Sequence, residues 1–390
     1  MWLPEYVPIS LPRAQLPEAW GVQLWQQYGR QIVVEFPSPK TGDQWQLTSQ
    51  GWVGHIPLRP DFHLVLQPKT PLANLFGMWA YAYRLQSWRW LEGLTACESL
   101  SQFYEQLAWL LAQQVLARAR QGLQHAYALQ TEDLPLVRGQ VELAQTLRQP
   151  LPTRLSCRYE EHTADIDDNQ ILAWTLYQIA YSPLVSERTL PAVRRAWRML
   201  HGPVSLRPVS PRECLGRHYD RLNQDYEPLH AVCRFFLEHT GPGHAVGGRA
   251  MCPFLVDMAR LYELFVAEWL RAHLPASYML RTQEQVSLDA VGSLHFQIDL
   301  VLYHESSQTP AAVLDTKYKT GEQPAAADVA QMVAYAQAKG APQAILIYPT
   351  PLAQPLQTRI GQVQLRALTF ALDGDLEQAG RQLLVQLVLD

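Results

Sequence analysis

Two acidic residues and two lysines near residue 310 carry the clearest chemical signal in this sequence. Asp315 and Lys317 are separated by one residue, Lys319 follows two positions later, and Asp299 lies sixteen residues before Asp315. Five of the 32 basic residues are lysines, so two lysines in one five-residue stretch indicate a requirement for a compact amine. Carboxylates beside an amine are typical of metal-dependent phosphodiesterase sites, where the carboxylates bind the metal.

Both acidic segments alternate between apolar and polar positions, as β-strands do. In residues 294–303 one face is apolar and Asp299 lies on the other, while residues 312–318 place Asp315 and Lys317 on one face. Side chains two residues apart along a strand are about 7 Å apart, so two carboxylates and an ammonium converge if the strands pair. The carboxylates would hold Mg²⁺ or, alternatively, Mn²⁺. The lysine would orient or activate a water molecule, or offset negative charge in the transition state.

Two predicted helices frame these strands. Glu263 lies on the apolar face of the first helix, where an acid is costly unless it is paired or binds a metal. The second helix, predicted between residues 324 and 340, carries Asp328, Gln331 and Tyr335 on one polar stripe. This stripe would support the site or face DNA, or alternatively pack against the sheet. The predicted order is helix, strand, strand, helix, strand.

The composition and the length indicate a folded chain with more than one domain. The 390 residues are 48% hydrophobic and 17% charged, which suits a sizeable core and excludes intrinsic disorder. The net charge of −4 gives no global signal for nucleic acid, so any binding of DNA must come from local patches. Five cysteines without a CxxC pair, and the lack of a secretory or membrane-spanning apolar segment, predict a soluble protein of the reducing cytoplasm.

We expect an α+β multidomain fold with three consecutive parts. Residues 1–70 predict a small β-barrel or meander, residues 71–240 a helical region, and residues 241–390 an α/β domain with a mixed sheet flanked by helices. The glycine-rich stretch 241–248 marks the main boundary. Residues 132–157 predict a turn-rich stretch inside the helical region. The strand patterns of the first part are residues 31–36, 44–47, 51–56 and 62–66.

Two features of the central region leave alternatives open. Eight arginines lie between residues 188 and 221 against two acidic residues, and they form either a solvated helical surface or a surface for phosphates or an acidic partner. Arg138 and Gly139 similarly either have a structural role in a turn or form part of a surface that binds a partner or DNA. A zinc site is not expected, because the candidate ligands fit no usual spacing; they are Cys233, His239, His244 and Cys252.

The acidic and basic set resembles the PD-(D/E)xK nuclease superfamily. Asp299 takes the place of the first acid, and residues 315–317 take that of the (D/E)xK element. Glu263 resembles the acid of the preceding helix, while Gln331 and Tyr335 resemble the QxxxY element of RecB-like members. The resemblance implies metal-dependent cleavage of DNA. Its catalytic residues would be Asp299, Asp315, Lys317 and Glu263, with the three acids as the metal ligands.

More narrowly, the chain resembles the McrC family, the nuclease subunit of the McrBC modification-dependent restriction system. The similarity is not confined to the site, because several segments spread over roughly residues 60 to 350 share it. These segments are residues 66–69, 74–78, 136–139, 157–169 and 254–263.

The McrC resemblance implies a two-part machine. An N-terminal region would dock on a hexameric AAA+ GTPase partner, McrB, and stimulate its nucleotide turnover, while the C-terminal domain would cut DNA. The chain has no GxxxxGK[ST] motif, so it should not hydrolyse nucleotide alone, and the partner would recognise the modified base. Lys319 matches no core family element, and we expect it, like Asp328, to support the site or face DNA.

We therefore expect a Mg²⁺-dependent DNA endonuclease subunit of an McrBC-like antiviral restriction complex that cleaves methylated foreign double-stranded DNA and has no membrane partner. One alternative is a non-catalytic DNA-binding regulator of a partner NTPase, with a degenerate nuclease domain. Another is a stand-alone RecB-like nuclease. The complete set of two acids and a lysine favours the enzyme, because a decayed site need not keep all three.

Overall fold

The structure is a computed structural model, and it describes residues 1–59, 62–85, 99–146, 154–182, 184–240, 244–246, 249–251, 253–287, 295–319, 323–354 and 356–388. In these residues the strands are β1 (Trp2–Pro4), β2 (Ile9–Leu11), β3 (Ile32–Glu35), β4 (Trp45–Ser49), β5 (Trp52–Arg59), β6 (Phe62–Gln67), β7 (Ala126–Leu134), β8 (Gln140–Val141), β9 (Leu155–Thr163), β10 (His244–Val246), β11 (Arg249–Met251), β12 (Phe254–Asp257), β13 (Tyr278–Ser287), β14 (His295–His304), β15 (Pro310–Thr316), β16 (Gln343–Tyr348), β17 (Gln357–Ile360) and β18 (Val363–Thr369). The helices are α1 (Glu18–Tyr28), α2 (Leu72–Ala82), α3 (Leu100–Gln121), α4 (Leu143–Thr146), α5 (Asp167–Ala180), α6 (Leu190–Leu200), α7 (Tyr226–His239), α8 (Met258–His273), α9 (Ala326–Lys339) and α10 (Leu376–Val388), with short 3₁₀ helices at Pro39–Thr41 and Pro211–Cys214.

The chain divides into two compact units, and the first is discontinuous. One unit comprises Met1–Leu100 together with Pro253–Asp390, and the other comprises Ser101–Cys252. This division differs from the three consecutive parts expected from the sequence, because β12 pairs antiparallel with β5 and so returns the chain to the N-terminal sheet. The predicted boundary at residues 241–248 lies largely outside the described residues.

The N-terminal part of the first unit contains two sheets and a helix. One sheet has the order β1-β6-β5-β12 and the other has the order β2-β4-β3. The four strand patterns predicted for this part are confirmed as β3, β4, β5 and β6. These strands are divided between two sheets and not joined in one barrel or meander among the described residues. Helix α1 adds Leu24 and Tyr28 to the same core as Trp45.

The C-terminal part of the first unit is a six-stranded mixed sheet with the order β13-β14-β15-β16-β18-β17. Strands β15, β16 and β18 run parallel, while β13, β14 and β17 pair antiparallel with their neighbours. Helix α9 connects β15 to β16, and its Met332 packs in one cluster with Val301 and Val313. Because side chains alternate along a strand, this is also the face that carries Asp299 and Asp315.

Several predicted boundaries in this part are wrong by a few residues or by one element. Strand β13 precedes β14 and is absent from the predicted order, so the order is helix, strand, strand, strand, helix, strand. Strand β15 ends at Thr316, which leaves Lys317 just beyond it, and α9 begins at Ala326 rather than Pro324. Helix α9 ends as predicted at Gly340, which has the left-handed φ of 70° that favours glycine.

The segment 254–263, one of those that resemble the McrC family, combines a strand with the first turns of a helix. Residues 254–257 form β12, and α8 begins directly after it at Met258. Asp257 caps this helix, because its Oδ1 accepts from the backbone N–H of Ala259 at 3.0 Å and of Arg260 at 3.2 Å. The short distance between strand and helix fixes where α8 begins, and therefore where Glu263 lies.

The second unit combines helices α3 and α5 to α7 with a three-stranded sheet in the order β7-β9-β8. The turn-rich stretch predicted for residues 132–157 is therefore wrong at both ends, which belong to the paired strands β7 and β9. Most β7 side chains are exposed or partly exposed on both faces, so the strand lacks the apolar alternation by which strands are recognised.

Two further expectations concern disulfides and membranes. Cys157, Cys214 and Cys233 are buried free thiols, while Cys97 and Cys252 lie outside the described residues. Within the described ranges, no helix combines the length and the apolar character needed to cross a membrane.

Candidate active site

Strands β14 and β15 bring Asp299 and Asp315 together. Leu300 pairs with Leu314 in the antiparallel register, so the next pair outward is Asp299 with Asp315. The two carboxyl groups are close enough for each to affect the pKa of the other. Asp315 is buried, with 3% of its surface exposed. The pairing that the alternation predicts is therefore present in the structure.

Lys317 lies at the centre of the site. Its backbone N–H donates to the carbonyl of Ile347 at 2.9 Å, which continues the pairing with β16 beyond the end of β15. Its Nζ lies 2.7 Å from Oδ2 of Asp315 and 3.6 Å from Oδ1 of Asp328. The same amine donates to Oε1 of Gln331 at 3.4 Å. Two carboxylates and an amide thus fix the position of one ammonium group.

The surroundings of Lys317 keep its amine charged. Burial alone would lower its pKa, but the contact with Asp315 and the charges of Asp328 and Asp299 raise the pKa above its ordinary value. A lysine with a raised pKa holds its proton throughout the neutral range. Lys317 is therefore suited to donate hydrogen bonds and to offset negative charge, and not to take a proton from water.

Glu263 reaches the same place from α8 through a bridging amide. Nε2 of Gln283 on β13 donates to Oε1 of Glu263 at 2.5 Å and to Oδ1 of Asp299 at 3.2 Å. Burial raises the pKa of Glu263, and the hydrogen bond from Gln283 partly opposes that rise. The acid of the first helix and the acid of the first predicted strand therefore meet, as the sequence predicts, but Gln283 joins them.

Burial dominates the electrostatics of the three carboxyl groups. It raises the pKa of Asp315 to about 6, with Lys317 opposing the rise and Asp299 adding to it. Burial and the charge of Glu263 likewise raise the pKa of Asp299. Carboxylates in a medium of low dielectric repel one another when ionised. The site consequently favours a cationic group among them.

The polar stripe of α9 lies against this site. Asp328 contacts Lys317 and also accepts from Nζ of Lys319 at 3.2 Å. Gln331 donates through Nε2 to the hydroxyl of Tyr335 at 2.7 Å. The ring of Tyr335 packs edge-on against Phe296 with 5.0 Å between centroids, so this tyrosine also belongs to the core, in agreement with the alternative in which the stripe packs against the sheet.

Glu263, Asp299 and Asp315 are the three predicted metal ligands, and their hard oxygens are of the kind that Mg²⁺ or Mn²⁺ prefers. Oδ2 of Asp315 is buried and has no aligned hydrogen-bond donor, although the amine of Lys317 is close. The donor types therefore fit a divalent cation. Among the described residues, however, no three His, Cys, Asp or Glu side chains already form a metal-binding group. Gln283 holds Glu263 and Asp299 in its own hydrogen bonds.

Gln283 is a site residue that the sequence does not predict, because β13 is absent from the predicted order of elements. The signal available is a run of alternating polar residues, since Arg281, Gln283 and Gln285 are exposed on one face of that strand. Lys319, expected to support the site or face DNA, pairs with Asp328 while 59% of its side chain remains exposed.

A comparison with protein families matches residues 47–349 to the model described as "McrBC 5-methylcytosine restriction system component". The chain belongs to this McrBC family. The match contains the acids and the lysine of the site and ends just after β16. Strands β17 and β18 and helix α10 lie beyond it.

One curated relative of this McrBC family chain is described as "Type IV methyl-directed restriction enzyme EcoKMcrBC" from Escherichia coli (strain K12). It is 24% identical over 233 residues, which are 55% of this chain and 63% of the relative. The chain thus spans less than two thirds of that relative's length. A solved chain from an assembly of Thermococcus gammatolerans McrB AAA+ hexamers with bound McrC shares the fold over 100% of both chains, with a TM-score of 0.55 and 14% identity.

Proposed function

We propose that this McrBC family chain is the nuclease subunit of a restriction complex and hydrolyses phosphodiester bonds of DNA with Mg²⁺. The observation that carries the proposal is the convergence of Asp299, Asp315 and Lys317 where β14 pairs with β15 in the six-stranded sheet. Glu263 and the α9 stripe supply the remaining polar groups around them.

Each side chain has a defined task in this proposal. Glu263, Asp299 and Asp315 hold the cation, which when bound polarises the phosphoryl oxygen and lowers the pKa of water. Lys317 keeps its proton and offsets negative charge on the reacting phosphate. Gln331 accepts from Lys317 and thereby aims the ammonium group at the phosphate.

The partner and the substrate follow from the relatives and belong to the proposal. A related assembly contains McrB AAA+ hexamers with bound McrC, and the curated relative is methyl-directed. We infer that this chain acts in the cytoplasm on methylated double-stranded DNA beside a hexameric AAA+ GTPase of the McrB kind. The chain lacks a GxxxxGK[ST] phosphate-binding motif, so nucleotide hydrolysis falls to that partner.

A methylated plasmid incubated with this chain, the partner GTPase, GTP and Mg²⁺ tests the proposal. We expect double-strand cleavage that requires the cation and is abolished in Asp315→Ala and in Lys317→Ala. Cleavage by both variants at the wild-type rate would refute the assignment of the site.

A second candidate is a non-catalytic DNA-binding regulator of the partner. It is favoured by one observation, since no ready three-acid group exists in the described part of the chain. In that case the wild-type chain stimulates GTP turnover while the plasmid stays intact at every Mg²⁺ or Mn²⁺ concentration.

A further inference from the structure

Gln283 occupies an unusual position at the edge of the site. It is an exposed residue in the middle of β13, between the pairs Thr282 with Leu300 and Glu284 with Ile298. Its side chain turns to the carboxylates of α8 and β14, and one amide nitrogen contacts both of them. Each hydrogen of that nitrogen is therefore committed to a carboxylate oxygen.

The backbone of Gln283 is strained. Its φ is 53°, a left-handed conformation that glutamine rarely adopts and that is unfavourable inside a strand. Strain of this kind persists only where other contacts enforce it. The contacts available here are those of the side-chain amide, whose Nε2 donates to the two acids and whose Oε1 accepts from Gln297.

Gln297 fixes which end of the amide faces the acids. Its Nε2 donates to Oε1 of Gln283, so the oxygen of Gln283 points to Gln297 and its nitrogen to the carboxylates. A flipped amide would place an oxygen against two carboxylates and a nitrogen against a donor, which is unfavourable. The orientation of Gln283 is therefore set by three polar partners.

We propose that Gln283 competes with the divalent cation for Glu263 and Asp299; this inference rests on the proposed metal-dependent site. Nε2 of Gln283 lies between Oε1 of Glu263 and Oδ1 of Asp299, so a cation that binds both of these oxygens has to take the place of the amide nitrogen. Residue 283 is then free to return to the extended backbone of its neighbours in β13. We therefore expect the backbone conformation at residue 283 to differ between the metal-free and the metal-bound site.

Calorimetric titration of Mn²⁺ into the full-length chain tests this competition without any cleavage. Gln283→Leu removes both donors and keeps the bulk of the side chain, so we expect it to bind Mn²⁺ roughly tenfold more tightly than the wild type. Gln283→Asn keeps an amide that tolerates a left-handed backbone but is one methylene shorter. We expect this second variant to bind Mn²⁺ more tightly as well.

Gln285→Leu is the matched control, because Gln285 is an exposed residue of the same strand two positions on, and its Mn²⁺ affinity should equal that of the wild type. Equal or weaker binding by both Gln283 variants would overturn this inference alone. If neither the wild type nor Gln283→Leu binds Mn²⁺, the proposed metal site and the inference fall together. Asp299→Asn separates the cases, since it should abolish the binding that Gln283→Leu strengthens.

Discussion

At the scale of single residues, the role proposed for Lys317 depends on its protonation state. Asp315, Asp328 and Asp299 raise its pKa, so the amine is a fixed positive charge rather than a base. The sequence leaves both roles open, because spacing places an amine beside an acid without revealing its other neighbours. The contact with Asp328 comes from α9, and no pattern within β15 contains it.

Substitution of Lys317 should therefore remove charge stabilisation without removing the metal ligands. We expect Lys317→Met to reduce the cleavage rate by roughly 100-fold or more, and Lys317→Arg to fail to restore it, because the planar guanidinium does not replace a compact ammonium. Single-turnover cleavage assays measure both. A Lys317→Met variant whose cleavage rate matches that of the wild type would show that the ammonium has no such role.

At the scale of secondary-structure elements, the sequence predicts best where one face is buried and the other is polar. Strands β14 and β15 and helix α9 show clear periodicity in the sequence, and their predicted ends differ from the observed ends by only a few residues. Strand β16 is instead a short apolar run that is buried almost throughout. Strand β13 alternates between exposed and half-buried positions but has one buried residue, and β7 is exposed or half-buried throughout, so neither presents the apolar face by which strands are most readily recognised. Strand β12 has four residues, and its pairing with β5 is a long-range contact that no local signal specifies.

Gly54 tests the importance of that long-range pairing. Its φ is 144°, and a Cβ built at this position would lie 2.0 Å from the carbonyl oxygen of Phe254 in β12. We expect Gly54→Ala to lower the free energy of unfolding by roughly 2–4 kcal/mol, through backbone strain and the clash together, as measured by urea denaturation. Gly202→Ala is the control, because a Cβ there has no atom within 4 Å. Equal stability of the two variants would contradict the structural role of Gly54.

Helix α6 resolves part of the ambiguity in the arginine-rich stretch. Arg207 and Arg217, which lie after it, pair with acids such as Asp167 and Asp168. Arg194 and Arg195 are exposed on α6, and none of the ion pairs found among the described residues involves them. One part of the stretch therefore belongs to an internal network, and the other is a basic helical surface.

If DNA contacts this helical surface, neutralising it should weaken binding in a salt-dependent way. We expect Arg194→Gln with Arg195→Gln to lower the slope of log affinity against log salt by roughly one for each phosphate that the protein no longer neutralises. Fluorescence anisotropy at several salt concentrations measures the slope. Arg13→Gln is the control, since Arg13 is an exposed arginine already paired with Asp43. An unchanged slope in the double variant would show that the exposed arginines of α6 contact solvent and not DNA.

At the scale of the whole molecule, the first unit unites both ends of the described chain. The sheet that contains β5 receives β12 immediately before α8, which carries Glu263. Stability of the N-terminal sheet is therefore linked through a short segment to the start of the helix that bears a site residue. The sequence does not predict this union, because contacts between segments some 200 residues apart leave no local pattern.

A buried histidine makes the stability of this unit depend on pH. Burial lowers the pKa of His55 to about 4, with repulsion from His63 and the amino terminus adding to it. In the unfolded chain His55 becomes protonated below about pH 6.5, whereas in the folded chain it stays neutral until about pH 4. We expect stability to fall across that window by at most roughly 3 kcal/mol.

Urea denaturation at pH 7.5 and pH 5 measures this decrease in stability. His55→Phe should reduce the difference between the two midpoints, whereas the exposed His218→Gln should leave it unchanged. Equal pH dependence in the wild type and His55→Phe would show that another group is responsible.

We propose that Asp299, Asp315 and Lys317 form a nuclease centre in a subunit that works with a GTPase. Asp299→Asn separates the two activities when cleavage of methylated DNA and GTP turnover are measured in the same reaction. We expect cleavage to fall by roughly 100-fold or more while GTP turnover by the partner stays at the level reached with the wild-type chain. Wild-type cleavage by Asp299→Asn would contradict this proposal.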